Sequence, residues 1–279
     1  MSYTAVMLRL SWLFPLVVVC ACKTVTPPAP APVAVWEVPL VVEPGRAPLV
    51  QATIGGKPTL LLIDTAASQT TLQAWFIKSL EVEPTDFEGH RVAALPLQLG
   101  TFTTTARWQL VDTDPALREL GIGGTISPHH LVPKGAVVID FPMKRMLALD
   151  GQPNNALRWL DERSPKGQVE GLLRVAPFEG RIHVKTRVGD GREVVTALAS
   201  TQPRSRYAAG LFDASLITDG THVAGLHVRV GESEFGPLDV LVQPTEGAVE
   251  GWLGMDVLQG VVLLLPVHEL HPIWFMTPH

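Results

Sequence analysis

From about residue 36 onward, short runs of Val, Leu and Ile alternate with Gly, Pro and small polar residues, and long stretches with a 3.6-residue apolar period are scarce. That pattern predicts strands joined by tight turns, and so a mainly β body. Three short segments, residues 73–80, 115–120 and 155–162, read instead as helices. The sharpest feature is Leu60-Leu61-Leu62-Ile63 running straight into Asp64-Thr65-Ala66-Ala67-Ser68. Four aliphatic residues predict a buried strand, and the small residues behind Asp64 predict a tight turn. A carboxylate at the end of a buried strand is costly unless it is hydrogen-bonded or chemically employed. Asp64 is therefore a candidate catalytic residue, and a plain turn-capping aspartate is the alternative.

The apolar pattern repeats over more than a hundred residues. Residues 92–100 (VAALPLQLG) match 223–231 (VAGLHVRVG) at every apolar position and end on the same glycine. Residues 109–111 then fall on 240–242, 124–131 (GTISPHHL) on 251–258 (GWLGMDVL), and 135–139 (GAVVI) on 260–264 (GVVLL). A repeat of that length is too long for a solenoid unit and fits two whole β lobes related by a pseudo-twofold. The runs at 99–102 and 230–233 read as turns between sheet strands. The polar stretch 152–167, with Pro153, Asn154, Asn155, Ser164 and Pro165, reads as the link between the lobes.

The Asp64-Thr65-Ala66-Ala67 turn resembles the Asp-Thr-Gly-Ala/Ser signature of the retropepsin and pepsin-like aspartic peptidases, with Ala66 in place of the usual Gly. Trp252-Leu253-Gly254 followed by residues 255–258 looks like that family's apolar-apolar-Gly element and short helix. Thr125-Ile126-Ser127 holds the same place in the first lobe, with Ser for Gly. The resemblance implies a bilobal pepsin-like fold: a first retropepsin-like lobe at 36–151, a linker at 152–167 and a second, degenerate lobe at 168–279. It implies peptide-bond hydrolysis by water activated at Asp64, with Thr65 beside it and Ala66, Ala67 and Ser68 supporting the turn. No cofactor and no metal are implied, and the partner is a peptide or protein.

Such enzymes need two carboxylates that share one proton, one from each lobe. In the second lobe the corresponding turn falls within residues 196–205, and Ser200-Thr201 stands where Asp-Thr is expected, followed by Pro203 and Arg204. The acid is missing. Three routes could restore a partner: Asp190 or Asp213 from elsewhere in the second lobe, a second chain joining first lobe to first lobe, or Ser200 and Arg204 polarising the substrate carbonyl. The covalently attached second lobe competes with the dimer for the same surface, so a monomer is expected. Without a partner, the chain would be an impaired pseudopeptidase that binds a peptide or protein in the interlobe cleft.

Other candidates are weaker. His129-His130 are adjacent and would point apart on a strand, against metal chelation. Asp140 reads as a strand end at a turn, and Asp256 as a structural polar contact. No Gly-x-Ser-x-Gly elbow accompanies Ser68 or Ser200. The scattered Trp residues read as core. With 22 basic and 27 acidic residues, nothing suggests nucleic-acid binding.

At the N-terminus, Arg9 precedes an apolar run at 10–19 that is too short to span a bilayer and fits a secretory signal. Val19 and Ala21 before Cys22 resemble the bacterial lipobox, which implies a signal peptide at 1–21 and lipidation of Cys22. The Pro/Ala-rich residues 22–35 then form an extended spacer. Lys23 follows Cys22, and the lipobox rule then points to the outer membrane of a bacterial envelope. Both cysteines of the chain lie in this segment, so the body has no disulfide. The Cys22→Ala variant should lose palmitate labelling and move from the membrane to the soluble fraction; unchanged membrane retention would count against the anchor.

Overall fold

The computed structural model describes residues 34–150, 153–163, 168–175, 181–212, 220–244, 248–267 and 271–277. Residues 1–21, Cys22, most of the spacer and Asp213 lie outside the described residues. The first half carries β1 (Ala34–Val41), β2 (Leu49–Ile54), β3 (Lys57–Ile63), β4 (Thr71–Gln73), α1 (Ala74–Leu80), β5 (Thr85–Phe87), β6 (His90–Leu99) and β7 (Phe102–Val111). It continues through α2 (Pro115–Glu119), β8 (Ile122–Ile126), β9 (Ala136–Asp140) and β10 (Arg145–Leu149). After α3 (Pro153–Arg163) come β11 (Gln168–Leu172), β12 (His183–Val188), β13 (Glu193–Leu198), β14 (Arg206–Ala208), β15 (His222–Val230) and β16 (Ser233–Gln243). The chain ends with β17 (Gly251–Leu253), α4 (Met255–Leu258), β18 (Val262–Pro266) and β19 (Ile273–Thr277).

These strands build two barrels and a shared sheet. The β2–β6 pairing closes β2-β3-β8-β4-β7-β6 into the first barrel, and β12-β13-β17-β14-β16-β15 form the second. The fold is mainly β and bilobal, as the duplication implies. Continuous with the first barrel in the strand order, β11-β19-β18-β9-β10-β1 form a six-stranded antiparallel sheet with three strands from each half, and the second barrel is a separate sheet. The lobes therefore share backbone hydrogen bonds, and the body is one unit from Ala31 on.

The register of that sheet carries the pseudo-twofold. β9 pairs β18 with Ile139 opposite Leu263 and Val138 opposite Leu264. The repeat that sets 135–139 on 260–264 converts one of these pairs into the other, so the axis passes between them. All five residues of each strand are buried, which explains why both read as unbroken apolar runs and not as alternating ones. Val137, Ile139, Leu263 and Leu265 face the main core. Val138, Leu147, Leu264 and Trp274 face the other side, where Ala156, Trp159 and Leu160 of α3 cover them.

The segment read as a linker thus holds an eleven-residue helix that seals one face of the shared sheet. β1 also begins at Ala34, inside the segment read as spacer. All three segments read as helices are helical, as α1, α2 and α3. Trp36, Trp108, Trp159 and Trp274 are buried, in keeping with a core role. Asp140 ends β9 as read, accepting from the Met143 amide at 3.1 Å and from Arg145 Nε at 3.0 Å.

Cutting Leu264 back to alanine removes apolar contact on the helix-covered face next to the axis. Leu264→Ala should lower stability by about 2–5 kcal/mol, read as a reduced urea midpoint with an unchanged slope; a change under 1 kcal/mol would mean that the sheet is not the seam of the two lobes.

Candidate active site

β3 delivers Asp64 to the molecular centre because its last residues pair in parallel with β8, Ile63 opposite Ile126. The Asp64 amide continues the ladder by donating to the Ile126 carbonyl at 3.0 Å. In the second lobe β13 pairs in parallel with β17, Leu198 opposite Leu253, and the Ala199 amide donates to the Leu253 carbonyl at 2.9 Å. Ile63 therefore corresponds to Leu198, Asp64 to Ala199 and Thr65 to Ser200. This corrects the expected alignment by one residue. Ser200 stands for the threonine and not for the acid, Thr201 matches Ala66, and Pro203 and Arg204 match Ser68 and Gln69.

The corrected register produces a reciprocal clasp. The Thr65 hydroxyl donates to the Leu198 carbonyl at 2.6 Å and accepts from the Ser200 amide at 3.1 Å. The Ser200 hydroxyl donates to the Ile63 carbonyl at 2.6 Å and accepts from the Thr65 amide at 3.1 Å. Both side chains are fully buried, so each bond also avoids the cost of an unpaired polar group. The surrounding turns match too. The Ser127 amide donates to Thr70 Oγ1 at 3.3 Å, as the Gly254 amide does to Ser205 Oγ at 3.0 Å. Gly254 is obligatory where it stands, since a Cβ there would lie 2.5 Å from the Arg204 carbonyl carbon. Asp256 makes the structural contact expected of it, accepting from the Ser205 hydroxyl at 2.7 Å and the Ser205 amide at 2.9 Å.

Asp64 sits half-buried beside this clasp. Its Oδ1 accepts from the Ala66 amide at 2.8 Å. Burial pushes its carboxyl above the ordinary 3.8, while the amides of Ala66 and Ala67, the Thr201 hydroxyl and the charge of Arg181 pull the other way. The position facing it across the axis is Ala199, so the second carboxylate is absent there. Asp190 does not replace it. It lies in the turn before β13, and that strand's length separates the turn from Ala199 by about 20 Å. The Thr65–Ser200 clasp also occupies the surface that a first-lobe dimer would need.

A cavity of about 370 Å³ opens beside the turn, lined by Ser68, Gln69 and Thr70 on one side and by Phe87, Arg107 and His130 among others. The hairpin joining β5 to β6 overhangs it; Glu88 and Gly89 both have positive φ, the conformation of a tight two-residue turn. β4 pairs β7 only over residues 109–111, so the edge of β7 across residues 104–107 has no strand partner among the described residues and faces the cavity. His130, read as surface or packing, belongs to this wall and donates from Nε2 to the Ser68 carbonyl at 2.9 Å. Its neighbour His129 is buried against the Ser127 hydroxyl. Neither Arg107 nor Phe87 lies in a recognisable motif; the local signal is one arginine two residues after the run Thr103-Thr104-Thr105. No group of three or more His, Cys, Asp or Glu able to hold a metal occurs among the described residues.

Two barrels, a shared sheet and a dyad-related pair of turns define a bilobal pepsin-like fold. No protein-family model matches the sequence, and no curated protein matches it. Among solved structures, the crystal structure of an aspartic proteinase from Irpex lacteus is similar over 87% of this chain and 97% of that one, with a TM-score of 0.56 and 9% identity. At that identity the likeness concerns the fold.

The raised Asp64 carboxyl has a consequence for stability. Below 3.8 the group is protonated in both folded and unfolded chains and contributes nothing. Above that value the unfolded chain ionises first, and the folded state carries a penalty that is complete once pH exceeds the folded value. Asp64→Asn should therefore raise Tm at pH 7, with the gain vanishing as pH falls toward 3; a loss of Tm at pH 7 would show that the ionised carboxylate is the stabilising form.

Proposed function

We propose that this protein holds an extended peptide in its interlobe cleft and has lost efficient peptide-bond hydrolysis. The observation that carries the reading is Ala199, which stands across the pseudo-twofold from Asp64 where a second carboxylate would be needed. Paired carboxylates work because one is charged and activates water while the other is protonated and polarises the scissile carbonyl. Removing one half of such a pair costs roughly a hundredfold to ten-thousandfold in rate. Binding does not need the pair. The edge of β7 across residues 104–107, without a strand partner among the described residues, offers main-chain hydrogen bonds to a strand laid along it, and the adjoining cavity receives side chains. The lipobox around Cys22 and the Pro/Ala spacer support an envelope-tethered placement for this cleft.

Hydrolysis by Asp64 acting alone is the second reading, and one observation favours it: burial raises the carboxyl, which brings it nearer a general base's working range. In that case Thr201 would orient the carboxylate and Asp64 would activate the water.

Digestion of a denatured protein across pH 3 to 7 separates the two. The wild type should not cleave. Ala199→Asp should create a measurable acidic peptidase that the further change Asp64→Asn abolishes. Cleavage by the wild type that Asp64→Asn removes would replace the binding reading with the single-carboxylate enzyme.

A further inference from the structure

The two lobes treat one pair of positions in opposite ways. The Gln109 amide donates to the Thr70 carbonyl, and the Leu241 amide donates to the Ser205 carbonyl. Gln109 therefore corresponds to Leu241 and Arg107 to Asp239, just as Gln69 corresponds to Arg204. In the second lobe these positions neutralise each other: Arg204 Nη1 donates to Asp239 Oδ2 at 2.6 Å, and His222 Nδ1 lies 3.2 Å from Asp239 Oδ1. In the first lobe the same positions hold Arg107 and Gln69, and Arg107 makes no ion pair with any described residue.

Arg107 is nevertheless held in place. Its guanidinium carbon lies 3.7 Å above the centre of the Phe87 ring, at the hairpin that overhangs the cavity. Stacking fixes the guanidinium plane and leaves its edge N–H groups free, the geometry that suits a carboxylate approached in the plane. A second donor faces the same space. Gln109 Nε2 donates to His90 Nδ1 at 3.1 Å, which leaves the ring proton of His90 on Nε2. Glu88, at the rim, is the one acid among the described residues lining the cavity. In a chain of net charge -5, a cation stacked in place at a cavity, without a counter-ion among the described residues, leaves its charge open to a ligand.

We propose that this cavity takes an acidic side chain of the bound peptide, with Arg107 as the residue that selects it. The inference rests on the peptide-binding reading above and specifies the ligand's chemistry: an extended peptide on the β7 edge that places Asp or Glu beside Phe87 and Arg107. The second lobe, whose corresponding position is filled by its own Arg204–Asp239 pair, sets no such requirement.

The test uses fluorescein-labelled decapeptides in which Glu or Gln is fixed at each position in turn, titrated by anisotropy against the full chain. One position should prefer Glu over Gln by roughly tenfold, the worth of a charge-assisted hydrogen bond. In Arg107→Gln that preference should vanish while the Gln peptide still binds measurably, and Glu88→Gln should strengthen the Glu peptide a few-fold. Peptide binding with no acidic preference, or a preference that survives in Arg107→Gln, overturns this inference and leaves the peptide-binding reading standing. Failure of every peptide to bind overturns both.

Discussion

The constraint on which the centre of the molecule depends is a set of four hydrogen bonds made by Thr65 and Ser200, two with each other and two to the Leu198 and Ile63 carbonyls. Each lobe sends a parallel-paired strand, β3 or β13, to end at the pseudo-twofold, where main-chain groups run out of ladder partners. The two hydroxyls supply what is missing, each donating to a carbonyl of the opposite lobe and accepting the opposite amide. With both side chains excluded from water, a single loss would strand several buried polar groups at once. The clasp fixes where Asp64 sits, and it does so without asking for an acid in the other lobe. An alanine at position 199 is therefore compatible with an intact scaffold around it.

The shared sheet makes that clasp possible by holding the lobes at a fixed separation. β9 and β18 meet at the axis with every side chain buried, one face in the main core and the other under α3. A strand pair so enclosed transmits position without adding function. Symmetry is broken at Asp64 against Ala199, at Arg107 against Asp239, and where an open cavity in the first lobe stands against an ion pair in the second. A duplicated chain needs its symmetric half for stability and can change the rest, and the peptide-binding proposal rests on these differences.

Much of the fold was legible before any coordinate. The buried run 60–63, the turn end of the hairpin repeat (228–231 on 97–100), the three short helices and the match of Thr125-Ile126-Ser127 with Trp252-Leu253-Gly254 all agree with the structure. What misled was residue chemistry near the second turn. Ser200-Thr201 resembles Asp64-Thr65 by its threonine, yet a serine hydroxyl performs the threonine's bonding equally well, and hydrogen bonds select by donor and acceptor rather than by name. A register irregularity in the β15–β16 pairing displaced the far end of that hairpin by one residue as well, so Gln109 corresponds to Leu241 and not to Val240. That slip concealed the correspondence of Arg107 with Asp239.

The sequence by itself determined the fold class, the duplication and Asp64 as the residue of interest, because apolar periodicity and strand-to-turn transitions are local properties written every few residues. Only the tertiary structure decided that Ala199 faces Asp64, that Thr201 touches it, and that Arg107 stands over Phe87 without a counter-ion among the described residues. These are meetings between residues far apart in the chain, set by strand register and the pseudo-twofold, and a one-residue shift in either changes which side chains meet.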